Sequence, residues 1–169
     1  MVYSFFLLIK CSGDKVKINY KKLILIILGT FLIGGFFSFF IPNSRGFYTS
    51  LEKPALSPPG ILFPIVWTVL YILMGISLYI VSESDTKKEE NYLIYIIQLV
   101  VNSLWTLFFF GLNLQFLSFL WILFLIVLVV VMIISFYQTN KLAGLLQIPY
   151  LLWLLFAAYL NLSIYILNR

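Results

Sequence analysis

RGFYTSLEKPALSPPGILFPIVWTVLY, residues Arg45 to Tyr71, decides the fold, because the chain on either side of it is almost continuous membrane-length hydrophobic sequence. The stretch begins as a polar loop, passes Pro54, Pro58 and Pro59, and enters an apolar run carrying Trp67 and Tyr71. Loops longer than about 12–15 residues are usually functional lids or unstructured. Prolines fix φ and bias the residues before them toward extended conformations, so this loop is expected to be ordered. It reads as a structured cap over a pocket between helices.

Composition sets the class. The 169 residues are 63% hydrophobic and 10% charged, whereas a water-soluble domain carries about 25% charged residues. The chain therefore belongs in lipid. A single cysteine, Cys11, excludes an internal disulfide, and the lack of any histidine removes the commonest metal ligand, general base and haem axial ligand. The net charge of +5 sits in lysines that flank hydrophobic runs, which fits membrane orientation and not a nucleic-acid face.

Outward from the loop, the pattern predicts an all-α integral membrane bundle of five transmembrane helices with a structured proline-rich loop between the first and second. Residues 1–22 form a basic N-terminal tail and 23–169 the transmembrane domain, with spans near 23–41, 61–81, 92–112, 116–136 and 142–166. Met1 to Ile9 is too short to cross a bilayer and reads as an interfacial segment or a disordered tail. Lys10, Lys15, Lys17, Lys21 and Lys22 follow as a basic collar. In the first span, Gly34 and Ser38 permit close helix approach, either within the bundle or in a dimer. Ser82 to Asn91 reads as a solvated, charged turn, and Asn113-Leu114-Gln115 as a tight turn between antiparallel neighbours. Pro149 falls inside the fifth span and is expected to kink it, since it removes a backbone donor.

Eight Lys and Arg residues lie on the N-terminal side of such a bundle and three (Arg45, Lys53 and Arg169) on the other. This asymmetry puts the N-terminus in the cytoplasm, and the loop 43–60 and the C-terminus outside.

No Asp, Glu, Lys or Arg falls inside a predicted span, which argues against proton coupling of the usual kind. What the spans do carry is aromatic surface with a few hydrogen-bonding groups. Trp67, Tyr71 and Gly75 share one helix face. Gln98, Asn102, Trp105 and Phe109 form a stripe at spacings of four, three and four. Tyr150, Trp153, Ala157 and Asn161 share a face beyond Pro149. An amide in lipid needs a partner, so the stripe faces protein or ligand. Three such faces under a proline-rich cap describe a mostly apolar pocket with a few polar fixings, suited to a flat, hydrophobic, largely aromatic ligand.

The segment FYTSLEKPALSPPGILFPIVWTVLY resembles the loop and second helix of the tryptophan-rich sensory protein, or translocator protein, family. QLVVNSLWTLFFF, with its N-x-x-W pattern, and LAGLLQIPYLLWLLFAAYLNLSIYILN, with its P-Y-x-x-W-x-x-F-A-x-x-L-N pattern, are similar to its third and fifth helices. The likeness runs from about Gly29 to Asn168. Two positions depart from the family: Phe47-Tyr48 stands where a Trp-Tyr pair is usual, and Ile61 where a Trp often follows the double proline.

The resemblance implies a five-helix membrane fold, often dimeric, in a bacterial or organellar membrane. It implies binding of porphyrins such as protoporphyrin IX and haem, with a pocket that includes Tyr48, Trp67, Asn102, Trp153 and Ala157; the stripe adds Trp105. The leading expectation is a receptor or sensor for tetrapyrroles, taken as ligand with no required cofactor and no metal site. Alternatives are light-dependent porphyrin degradation, in which Trp67 and Trp153 would be the reactive groups, and transport of porphyrins or other hydrophobic ligands. Expected partners are that ligand, membrane lipid and a second copy of the chain, with no nucleic acid.

Overall fold

The computed structural model describes residues 18–41, 44–86 and 88–169. The expectations for Met1 to Ile9, for Cys11 and for Lys10, Lys15, Lys17 and Lys87 lie outside them, as does the side chain of Arg45.

The described residues are helical, without strands. The first helix, α1, runs Tyr20–Gly34, opened by Asn19, whose side chain accepts from the Lys22 amide. It starts earlier than position 23, so Lys21 and Lys22 belong to its first turn. It also stops earlier than expected. A Gly34-Gly35 pair is weakly helical, and the chain continues as a 3₁₀ turn, Phe36–Phe39, instead of α-helix to Ile41. Within the connection to the next long helix, Ser44–Ser50 forms a short helix, α2. The sequence pattern predicts a structured loop there without a helix; the prolines begin only at 54 and leave 44–50 free to coil.

Among the described residues, four helices are long and apolar enough to cross a membrane: α3 (Leu62–Ser82), α4 (Glu89–Thr106, continued by a π turn over Leu107–Gly111), α5 (Gln115–Thr139) and the pair α6 (Lys141–Leu145) and α7 (Ile148–Leu167) taken together. Pro64 sits in the first turn of α3, where a missing N–H costs little. Pro149 does not kink a continuous helix. The fifth run breaks at Leu146–Gln147, and Pro149 lies in the first turn of the new helix α7. Broken there, the chain needs no donor from the proline.

The exterior is apolar and the interior carries the polar groups. Leu25, Leu32, Val127 and Leu152 are at least 59% exposed, whereas Thr30, Ser77, Gln98, Asn102 and Gln147 are at most 3% exposed. A soluble protein would reverse this, and lipid demands it.

Small residues let α1 and α3 meet. A Cβ at Gly75 would stand 2.7 Å from Ile27 Cγ1, and one at Gly34 2.7 Å from Tyr71 Cε1. Gly34 therefore serves packing inside the bundle. The two helices run antiparallel, pinned where α1 begins and α3 ends: the Asn19 amide donates to the Tyr79 hydroxyl at 3.0 Å, and Lys22 pairs with Glu83 at 2.5 Å. Thr30 and Tyr95 hydroxyls lie 2.7 Å apart and join α1 to α4.

The 82–91 connector is less solvated than expected. Ser82 and Asn91 are buried. The Asn91 amide donates to Thr139 Oγ1 at 2.9 Å and accepts from Ser135 Oγ, tying the start of α4 to the end of α5.

Candidate functional site

A cavity of about 280 Å³ lies between α3, α4, the 3₁₀ turn after α1, and the α2 loop. Its walls follow from helix periodicity. Phe63, Trp67 and Tyr71 come from successive turns of one face of α3, and Asn102, Trp105 and Thr106 from α4. Tyr48 of α2 and Gly60 of the loop close it from above, and Ser38 and Ile41 complete the side. A narrow crevice of about 10 Å³, room for one water at most, lies against the same Phe63, Trp67, Asn102 and Trp105. Ile122, Leu125, Trp153, Leu154 and Ala157 line its other side.

Of the residues picked from sequence, Tyr48, Trp67, Asn102 and Trp105 line the main cavity, and Trp153 and Ala157 the crevice beyond. Gln98, on the same stripe, lies outside both: the Tyr150 hydroxyl donates to its Oε1 at 3.1 Å. Asn161 is likewise turned inward, donating to Ala157 O at 3.4 Å. Phe63 was missed. It lies one turn before Trp67, and extending the Trp67–Tyr71 face backward would have found it. Thr106, one turn after Asn102, was open to the same rule; Ser38 and Ile41 carry no such signal.

Two ring pairs in the site pack edge-on: Tyr48 meets Phe63 at 5.1 Å between centroids and Phe63 meets Trp153 at 5.9 Å. Trp67 lies 5.4 Å from Tyr71 with the planes tilted by 33°. Trp105 stacks on Phe109 at 5.4 Å and 20° between planes. The π turn follows Trp105 at once; such widened turns gather at functional sites.

Polar groups are few and mostly engaged. The Asn102 amide donates to the Tyr71 hydroxyl at 3.1 Å. Trp105 Nε1 is buried and meets no acceptor among the described residues. Among the described residues, none that lines either space is charged.

The loop above is held by specific bonds. The Tyr48 hydroxyl donates to Pro58 O at 3.1 Å, and burial raises its pKa above the ordinary 10.0. The Lys53 ammonium donates to the carbonyls of Tyr48, Thr49 and Leu51 at 3.0, 3.2 and 2.7 Å, where α2 ends. A cation there complements the helix dipole. Lys53 also stands 5.2 Å from the centroid of the Tyr48 ring. Asn168, just past α7, accepts from the Glu52 amide and donates to the Glu52 carbonyl, both at 2.9 Å.

An apolar exterior around buried amides, with helices long enough to cross a bilayer, defines an integral membrane protein, here with an aromatic, uncharged cavity within its helices. Residues 23–167 match the TspO/MBR family. The chain is 40% identical over 152 residues to the tryptophan-rich protein TspO of Archaeoglobus fulgidus, covering 89% of this chain and 99% of that one. It is 38% identical to the Chlorobaculum tepidum protein of the same name, over 72% of this chain and 79% of that one. It is 32% identical to the translocator protein of Sus scrofa, over 76% and 80% of the two chains. The chain belongs to the TspO/MBR family.

Proposed function

We propose that this protein is a membrane receptor or sensor that binds porphyrin-type tetrapyrroles, such as protoporphyrin IX and haem, between its helices. The observation that carries this is the cavity of about 280 Å³ bordered by Tyr48, Trp67, Asn102 and Trp105, whose aromatic faces offer stacking and whose walls, among the described residues, hold no charge. Relatives named translocator protein and tryptophan-rich sensory protein agree with a role in handling a small ligand at a membrane. Ligand pockets usually measure about 300–1,000 Å³, so a macrocycle needs the loop over 51–60 to move outward and the crevice at Trp153 and Ala157 to widen.

The same proposal counts five spans. The α1 helix of 15 residues and its four-residue 3₁₀ extension together reach ~30 Å at standard rises, the thickness of the hydrocarbon core. The N-terminus then faces the cytoplasm and the α2 loop the opposite side.

Titration of protoporphyrin IX into the full-length protein in nanodiscs, followed by quenching of tryptophan fluorescence, tests the proposal. Saturable quenching is expected, and metal-free protoporphyrin should bind within a few-fold of haem because no histidine is present to ligate iron. Quenching that never saturates overturns it.

A further inference from the structure

Trp105 borders both the main cavity and the crevice, yet its indole N–H meets no acceptor among the described residues and has less than 1 Å² of accessible surface. Bulk solvent cannot reach it, so this donor is unspent, a state that native interiors seldom tolerate without a reason. The neighbouring Asn102 amide spends one of its two N–H groups on the Tyr71 hydroxyl. The crevice is otherwise walled by rings and aliphatic side chains, with no Lys, Arg or ionisable acid among the described residues.

We propose that Trp105 is a specificity-determining residue of this site: when a planar aromatic guest widens the crevice beside Ala157, the indole N–H takes a neutral acceptor of that guest, a carbonyl oxygen or an unprotonated ring nitrogen. This rests on the cavity being a ligand site, and it adds which chemistry the deep end selects. A neutral acceptor satisfies the donor without bringing charge into a dry space. A carboxylate would accept the same hydrogen bond but would be buried without a cation, which costs far more than one hydrogen bond returns. Ionised groups of any guest therefore stay at the loop end, outside the helices.

The test uses a matched pair of flat probes, 9-fluorenone and fluorene, which share a tricyclic skeleton and differ in C=O against CH₂. Both are titrated by calorimetry into the full-length protein and into Trp105→Phe, which keeps a ring against Phe109 and removes the N–H. Partition into detergent cancels in the ratio of the two affinities compared between the proteins. Wild type should favour fluorenone, and the preference should fall about tenfold in the variant, the loss of one buried hydrogen bond. In the wild type alone, the Trp105 indole proton resonance should move downfield with fluorenone and hold still with fluorene. 9-Fluorenone-2-carboxylate should bind more weakly than its methyl ester. An unchanged preference in the variant, or a still indole resonance with fluorenone saturating, overturns the role of Trp105 while leaving the cavity a ligand site. Binding of neither probe to the wild type removes the site itself.

Discussion

Gly34 and Tyr71 are in contact across the seam between α1 and α3: a Cβ at Gly34 would lie 2.7 Å from Cε1 of the Tyr71 ring and 2.9 Å from Cζ. The Tyr71 hydroxyl is the acceptor for Asn102, so the glycine holds open the place in which the cavity's polar bond is made.

Gly34→Ala should therefore destabilise the protein by about 1–3 kcal/mol, the usual cost of forcing volume into a packed site, and should weaken ligand binding by displacing Tyr71. Gly29 is the control. It lies in the same helix with nothing within 4 Å of an added Cβ, so Gly29→Ala should stabilise by about 0.5–1 kcal/mol. Thermal melts of both variants in one detergent check the opposite signs; equal shifts would refute the packing account.

Asn168 latches the loop. Its side chain makes both hydrogen bonds of the Glu52 peptide at 2.9 Å, in the manner of a strand neighbour. Asn168→Ala should expose residues 51–60 to faster amide exchange and to proteolysis, with association and dissociation of ligand both accelerated. Asn168→Asp keeps the acceptor and loses the donor, and should fall between. Exchange measured residue by residue distinguishes the three proteins.

Buried amides with and without partners should respond oppositely to apolar replacement. Neither amide atom of Gln147 finds a partner among the described residues, so Gln147→Met should be neutral or stabilising by about 1 kcal/mol. Asn91 is bonded to Thr139 and Ser135, so Asn91→Leu should cost about 1–3 kcal/mol by stranding both. Chemical or thermal denaturation in matched micelles gives both numbers.

Tyr48 predicts the pH response of the cap. Its folded pKa is raised above 10.0 by burial, so the protonated form is favoured in the folded state. The stability this contributes is complete below pH 10 and is lost as pH climbs from 10 toward the raised value. The hydroxyl's bond to Pro58 O is lost with the proton. With no charged group on the cavity wall among the described residues, affinity for an uncharged probe should be flat from about pH 6 to 9 and decline only above about pH 10. A step near neutrality would contradict this; Tyr48→Phe should abolish the alkaline decline.

Most of the candidate site was legible because helix periodicity is local. Trp67 and Tyr71, or Asn102 and Trp105, share a face whatever surrounds them, and the amides' need for partners told which way that face turns. Phe63 was legible by the same rule. Ser38 and Ile41 were not, since their placement depends on α1 stopping at Gly34 and giving way to a 3₁₀ turn. The buried state of Asn91 was hidden for a similar reason: it sits among Glu89, Glu90 and other charged neighbours, and only contact with α5 removes it from water.

By itself the sequence determined the solvent, the helical class, the spans from α3 onward and the family, because hydropathy, residue spacing and motif order are properties of the chain before it packs. Tertiary structure decided where the first and fifth runs break, which amides find partners, that the loop begins with a helix, and that one indole N–H in the wall stays unspent. Those outcomes depend on the meeting of groups distant in sequence, such as Gly34 with Tyr71 and Glu52 with Asn168, and no local pattern encodes the distance between them.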